Sequence, residues 1–157
     1  MSIHNKSLSR LAAVQALYQI DVSGTSEDLV IAEFLSGELG GEAFEILPGK
    51  EVEEVVPLGG FAPALFAQIV REATLKQDSI DAIITANLSD QWPVDRLEST
   101  VRCILRAGIA ELIFNKSVST KVIISEFIDI AHAFYEGAEP SMVNAILDIA
   151  AKALRSG

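Results

Sequence analysis

Apolar residues at helical spacing fill the last third of the chain, and this pattern restricts the fold more than any other feature. Residues 94–114, 119–136 and 140–155 each repeat apolar side chains three or four positions apart, with charged residues between them. The short run 122–124 favours a strand by local propensity, but the residues that follow keep the period of 3.6. These stretches therefore predict long amphipathic helices and no strand.

Earlier parts of the chain show the same period. Four further helices are predicted there: 7–22, 26–37, 63–76 and 79–88. Serine N-caps are predicted at three helix starts: Ser26, Ser79 and Ser119. Residues 38–58 contain several helix breakers and predict a surface loop, and Trp92-Pro93 marks a turn. We expect an all-α domain of six or seven helices with two halves, about 1–76 and 77–157.

The charge of the chain is strongly acidic, with a formal net charge of -10. Most of the excess negative charge lies in residues 27–54, which contain nine acidic residues and a single basic one, Lys50. Like charges repel, so this segment is excluded as a site for a polyanion. The rest of the chain is nearly neutral, so the global charge does not exclude nucleic-acid binding elsewhere.

Few residues in the sequence are suited to catalysis or to metal binding. The two histidines, His4 and His132, have no catalytic partner nearby in the sequence, and the single Cys103 lies in an apolar stretch that predicts burial. There is no metal-ligand spacing and no phosphate-binding glycine loop. We therefore expect no enzyme activity, no metal and no cofactor. The absence of a signal peptide pattern or a membrane span predicts a cytoplasmic protein.

Basic residues are concentrated at the N-terminus and in the fifth predicted helix. Lys6 and Arg10 are four positions apart, so they share one helix face, and no acidic residue precedes Asp21. Arg106, in the apolar helix 94–114, is expected to form an ion pair between helices. Lys121 stands at the start of the next helix. The sequence thus predicts one small cationic surface on a helical protein.

Four sequence blocks in a fixed order carry a resemblance to a known family. They are R-L-A-A-V-Q-A-L-Y-Q at 10–19, V-R-C-I-L-R-A-G-I-A-E-L-I-F at 101–114, K-V-I-I-S-E-F at 121–127 and M-V-N-A at 142–145. The chain resembles the NusB family of bacterial transcription antitermination factors. That resemblance implies binding to boxA-type single-stranded RNA together with the small-subunit ribosomal protein NusE. It also implies a role in the transcription elongation complex during ribosomal RNA synthesis, with no membrane association.

The same resemblance assigns individual residues. Those expected to bind RNA are Lys6, Arg10, Lys121, Met142 and Asn144. Tyr18 and Val101 are expected at the contact with NusE. Ser7 and Leu8 stand where the family often has further arginines, and Met142 stands where it usually has Phe. A phenylalanine ring can stack on a base and a methionine cannot, so these differences concern RNA affinity.

Two alternatives remain open at this point. The chain could be a helical protein–protein adaptor that has lost RNA binding and docks a basic partner through its acidic segment. Tyr18 could pack in the core instead of contacting a partner. Two cationic side chains give little affinity for RNA alone, so the RNA-binding hypothesis predicts that a second protein completes the site.

Overall fold

Seven helices make up the regular structure in the part of the chain that the computed structural model describes, which is residues 2–36, 62–88 and 97–155. They are α1 Ser2–Ser23, α2 Glu27–Ser36, α3 Pro63–Leu75, α4 Gln77–Ala86, α5 Ser99–Phe114, α6 Thr120–Phe134 and α7 Glu139–Leu154. No strand occurs within those ranges. The predicted all-α fold is confirmed, and the seven helices of the described ranges agree with the expected six or seven. The predicted division into halves at residue 76 stays a prediction.

Local signals fix several helix boundaries. Gly24 has a φ of +73°, a left-handed conformation that favours glycine, and it ends α1. Ser26 Oγ accepts a hydrogen bond from Leu29 N at 3.3 Å, which confirms this predicted N-cap. Ser119 Oγ accepts from Val122 N at 3.2 Å and confirms a second one.

The N-cap predicted at Ser79 is wrong, because α4 already begins at Gln77. The N–H of Lys76 donates to Glu72 O, and the carbonyl of Lys76 accepts from Ile80 N. Lys76 thus ends α3 and begins α4, so hydrogen bonding continues through the junction and no serine is needed to cap the helix.

Two other boundaries differ from the prediction or cannot be compared with it. Helix α6 ends at Phe134 and not at residue 136, because Tyr135 has an extended backbone. The predicted loop 38–58, the Trp92-Pro93 turn and a helix start at residue 94 lie outside the described residues. Leu97 and Glu98, which immediately precede α5, are not helical.

Helix α5 is the centre of the molecule. It packs against α1, α3, α4, α6 and α7, and its residues 103–112 are all buried. A Cβ atom placed on Gly108 would lie 3.0 Å from Leu147 Cδ2 and 3.4 Å from Phe127 Cγ. The missing side chain therefore allows α5, α6 and α7 to approach closely. None of the described helices has the length and apolar character needed to cross a membrane.

Candidate nucleic-acid interface

A buried ion pair joins α1 to α5 beneath the predicted cationic surface. Arg10 Nε lies 2.7 Å from Glu111 Oε1, and Arg10 Nη2 lies 2.7 Å from Glu111 Oε2. The side chains of Arg10 and Glu111 are only 3% and 0% exposed. Asn115 Nδ2 donates a further hydrogen bond to Glu111 Oε2 at 2.8 Å. A buried ion pair needs this bidentate geometry because both ions have lost their hydration.

Helix α6 joins the same cluster through Glu126. Its Oε1 atom accepts from Arg10 Nη1 at 3.0 Å and from Ser7 Oγ at 2.6 Å. Burial lowers the pKa of Arg10, but hydrogen bonds and charge from Glu111 and then Glu126 outweigh that effect and raise it above its ordinary value. Arg10 therefore stays charged and holds three helices together.

A cavity of about 540 Å³ opens beside this cluster. Its lining residues come from α1, the α5–α6 turn and α6: Lys6, Arg10, Val118, Lys121, Val122, Ser125 and Glu126. Lys6 and Lys121 are exposed, and within the described ranges no ion pair engages either ammonium group. The fold thus brings two of the predicted RNA-binding lysines to one cavity although they are far apart in sequence.

A second cavity of about 480 Å³ shares Lys121 and Ser125 with the first. It also has Asn144 in its lining, together with Asp129 and Asp148. Asn144 is exposed on α7 and offers both a donor and an acceptor. The carboxylates make this end less favourable for phosphate than the end with the two lysines. Asn144 is suited to a polar contact rather than a charged one.

Met142 does not line either of these two cavities. Its side chain is partly buried and packs against the hydrophobic core. The structure therefore brings together Lys6, Arg10, Lys121 and Asn144 and leaves Met142 apart. An RNA contact by Met142 stays a prediction.

Arg155 fixes the turn between α5 and α6 from the end of α7. Its guanidinium donates to three backbone carbonyls, those of Leu112 at 2.9 Å, Val118 at 2.8 Å and Asn115 at 2.6 Å. Two of these carbonyls belong to the C-terminal end of α5, where helices leave acceptors unsatisfied. Thr120 Oγ1 lies 3.3 Å from Arg155 Nη1. This contact shapes the turn that presents Val118 and Lys121 to the first cavity.

A second polar cluster lies further along α1. Arg106 Nη1 lies 3.2 Å from Asp21 Oδ1, and Arg102 Nη2 lies 3.0 Å from Asp21 Oδ2. Arg106 also holds Asp81 of α4, so the predicted ion pair between helices is confirmed. Burial raises the pKa of Asp21, but hydrogen bonds and charge from Arg102 and Arg106 outweigh that effect and lower it below its ordinary value. Both guanidinium groups are thus engaged by carboxylates within the described part of the chain.

Tyr18 lies on the surface of α1, with 41% of its area exposed. It lines a cavity of about 220 Å³ with Val14, Gln15, Thr100 and Phe134. Its exposure agrees better with an interface residue than with core packing. Val101 is only 2% exposed and lies in the core, so a direct contact with a partner would require it to move. Its assignment to the partner contact stays a prediction.

The groups considered for catalysis and metal binding are placed as follows. Cys103 is fully buried, as predicted, and burial raises the pKa of its thiol to about 12. His132 is exposed, and the side chain of His4 lies outside the described residues. Among the residues whose placement is described, no group of three His, Cys, Asp or Glu side chains is arranged to hold a metal.

Sequence analysis missed the partners that hold the cationic surface in place. Glu111 interrupts the apolar run I-A-E-L-I-F, and an acidic residue in such a run indicates a buried cationic partner. That signal could have pointed to the buried ion pair but not to Arg10 in particular. Nothing in the local sequence indicates the role of Arg155, whose acceptors are backbone carbonyls.

Comparison with known proteins decides the family. The sequence model described as the NusB family matches residues 7–152, which is most of the chain. The chain belongs to the NusB family. A NusB relative, the transcription antitermination protein NusB of Rhodospirillum rubrum, is 44% identical over 155 residues, covering 95% of this chain and 84% of the relative.

Two solved NusB structures are similar to the whole fold. The NusB protein of T. maritima superposes with a TM-score of 0.69 at 24% identity, covering 93% of this chain and 89% of that one, and it supports the fold alone. A crystal structure of NusB and NusE in complex with double-stranded RNA contains a chain with a TM-score of 0.65 and 27% identity. The match covers 94% of this chain and 96% of that one.

Proposed function

We propose that this chain is a transcription antitermination factor that binds boxA-type RNA together with ribosomal protein NusE. The observation that carries the proposal is the meeting of Lys6 and Lys121 at one cavity in a NusB-family fold. The relatives named as antitermination proteins and the solved complex of NusB, NusE and RNA support it. None of these names denotes an enzyme, in agreement with the expected absence of catalysis.

The chemistry of the cavity fits a single strand of RNA. Lys6 and Lys121 offer ammonium groups to the phosphates of the strand, and Val118 and Val122 offer apolar surface to a base. Ser125 and Asn144 add hydrogen-bonding groups toward the second cavity, where they can contact base edges or ribose. Met142 is proposed to contribute apolar contact at the margin of this surface.

Two lysines cannot give tight binding alone, which makes a partner necessary. Each phosphate contact of a single strand contributes a salt slope of only about 0.7, and weak electrostatic binding is lost at physiological salt. NusE would add cationic groups and a second set of contacts. We place its contact at the cavity that Tyr18 lines on α1, where an exposed aromatic ring is a typical anchor.

The role in ribosomal RNA synthesis and the association with the elongation complex belong to the same proposal. A factor that acts on nascent bacterial RNA works in the cytoplasm, where transcription takes place. The proposed role in transcription and the proposed location are both inferred from the family and not from a contact in this molecule.

The test is RNA binding by the purified chain, measured by fluorescence anisotropy with and without NusE. We expect weak binding of a boxA oligonucleotide by the chain alone and a large gain with NusE. A scrambled oligonucleotide of the same composition serves as the control. Equal affinity for both oligonucleotides in the presence of NusE would contradict sequence-specific recognition.

A protein–protein adaptor without RNA binding is the alternative, and the burial of Arg10 is the observation that favours it. With Arg10 engaged by two carboxylates, Lys6 and Lys121 are the cations left unpaired at the first cavity, among the residues described. The same titration separates the two functions. An adaptor would bind NusE normally and show no gain in RNA affinity.

A further inference from the structure

Arg10 lies at the edge of the candidate RNA surface, but its charge is directed inward. Each of its three guanidinium nitrogens donates to a carboxylate oxygen, at 2.7, 2.7 and 3.0 Å. Only 3% of the side chain is exposed. The guanidinium keeps two further N–H hydrogens, but a side chain this deeply buried is out of reach of a phosphate unless the cluster opens, and displacing Glu111 would leave a carboxylate buried without its partner.

The local charge leads to the same conclusion. Arg10 brings one positive charge, and Glu111 and Glu126 bring two negative charges within hydrogen-bonding distance. The cluster as a whole therefore offers no positive potential to an approaching polyanion. What it offers is geometry, because its hydrogen bonds connect α1 with both α5 and α6.

This geometry fixes the helix positions from which the two exposed lysines extend. Lys6 is one helical turn before Arg10 on the same face of α1. Lys121 is five residues before Glu126 on α6, and Ser7 Oγ binds the same Glu126 oxygen that Arg10 does. Any loosening of this cluster would let the N-terminal part of α1 move away from α6 and separate the ammonium groups.

We propose that Arg10 is a positioning residue, which acts through Glu111 and Glu126 to hold Lys6 and Lys121 at the spacing that RNA requires. The proposal rests on the proposed function and changes the role that the sequence suggests for Arg10. Direct phosphate contact belongs to the two lysines, and the arginine acts by keeping α1 against α5 and α6.

The test compares salt dependence with affinity, using the chain together with NusE and a boxA oligonucleotide. Arg10→Lys keeps the charge but loses the two-pronged geometry. We expect affinity to fall by about three- to tenfold, the loss that follows when charged hydrogen bonds are broken, with an unchanged salt slope. Lys6→Ala is the contrasting variant, and its slope should fall by about 0.7.

For a second variant, simple electrostatics and the positioning role predict opposite changes in RNA affinity. Glu126→Ala removes a negative charge from the lining of the cavity, so charge alone predicts tighter RNA binding. Loss of positioning predicts weaker binding instead. Ser7→Ala changes no charge and removes one partly buried hydrogen bond to Glu126, so it should fold normally and weaken RNA affinity by about two- to fivefold. Circular dichroism melting confirms that each variant is folded at the temperature of measurement.

The outcomes separate the inference from the proposed function. Tighter binding by Glu126→Ala, or near-normal affinity of Arg10→Lys, would overturn the positioning role while RNA binding by the wild type stands. Absence of RNA binding by the wild type with NusE would overturn the proposed function and this inference with it. Weaker binding by all three variants at constant slope supports positioning.

Discussion

Arg106 of α5 holds Asp81 of α4 by two nearly parallel hydrogen bonds, from Nε to Oδ1 at 2.9 Å and from Nη2 to Oδ2 at 2.8 Å. Helix α4 is short and packs mainly against α3 and α5. It buries Ile80 and Ile84 completely, and this ion pair adds a polar attachment between α4 and α5 to that apolar contact.

Replacing Asp81 with Ala should destabilise the fold. Arg106 is 8% exposed and would keep Asp21 as its acidic partner among the residues described, but Asp81 itself is 30% exposed, so water compensates part of the loss. We expect the free energy of unfolding to fall by about 1–3 kcal/mol in urea denaturation. Asp78→Ala, an exposed acid in the first turn of the same helix, should cost about 0.3–1 kcal/mol. Equal losses would show that the ion pair contributes nothing specific.

Lys6→Ala and Lys121→Ala should each weaken RNA binding in the presence of NusE. Each substitution removes one ammonium group from the first cavity, so the salt slope should fall by about 0.7 for each lysine. The losses should be similar for boxA and scrambled RNA, because phosphate contacts carry no sequence information. Lys76→Ala, an exposed lysine that pairs with Glu72 and lines neither of these two cavities, is the control. If Lys76→Ala has the same effect, the binding is non-specific attraction to the whole surface.

Tyr18→Ala should reduce affinity for NusE while leaving the melting temperature nearly unchanged. The ring is 41% exposed, so its removal leaves the core intact, and an anchor residue is worth about 1–3 kcal/mol in binding. Isothermal titration calorimetry measures the affinity. Leu75→Ala, an apolar residue of α3 that is 77% exposed, controls for the loss of surface hydrophobicity. A large fall in melting temperature for Tyr18→Ala would mean that it packs in the core.

Cys103 should make the protein less stable at alkaline pH. Burial raises the pKa of the thiol from 9.0 to about 12, so between these values the unfolded chain has lost a proton that the folded chain retains. The contribution of the protonated thiol to the free energy of unfolding is therefore fully present below about pH 9 and is lost as the pH rises toward 12. Between pH 8 and 10 the wild type should lose about 1 kcal/mol more than Cys103→Ala. Rapid reaction of the native thiol with a disulfide reagent at pH 8 would contradict burial.

The helices could be predicted because their signal is local. A period of 3.6 residues indicates which side of a helix is buried. A serine just before a helix indicates an N-cap, as at Ser26 and Ser119. The N-cap at Ser79 was wrongly predicted because backbone hydrogen bonds at Lys76 already connect α3 to α4. The end of α6 was also missed, since Tyr135 is extended and its hydroxyl binds Glu98, which precedes α5.

The candidate site was only partly predictable because burial depends on distant residues. Helical spacing correctly put Lys6 and Arg10 on one face, and both line the same cavity. Whether each side chain is free depends on Glu111, which is 101 positions away from Arg10 in the sequence. No local pattern could show that the lysine stays in solvent and the arginine is buried.

The hydrogen bonds of Arg155 have a consequence for the synthesis of the protein. The carbonyls that it binds lie at the end of α5 and in the α5–α6 turn, so we expect this turn to reach its final shape only after residue 155 has been translated. A fragment that ends before residue 155 would lack this contact even if it contained every residue from 7 to 152 that the family model matches. We therefore expect the candidate RNA surface to mature last on the ribosome, and we expect the shortest fragment with an intact turn to extend past the boundary that sequence similarity suggests.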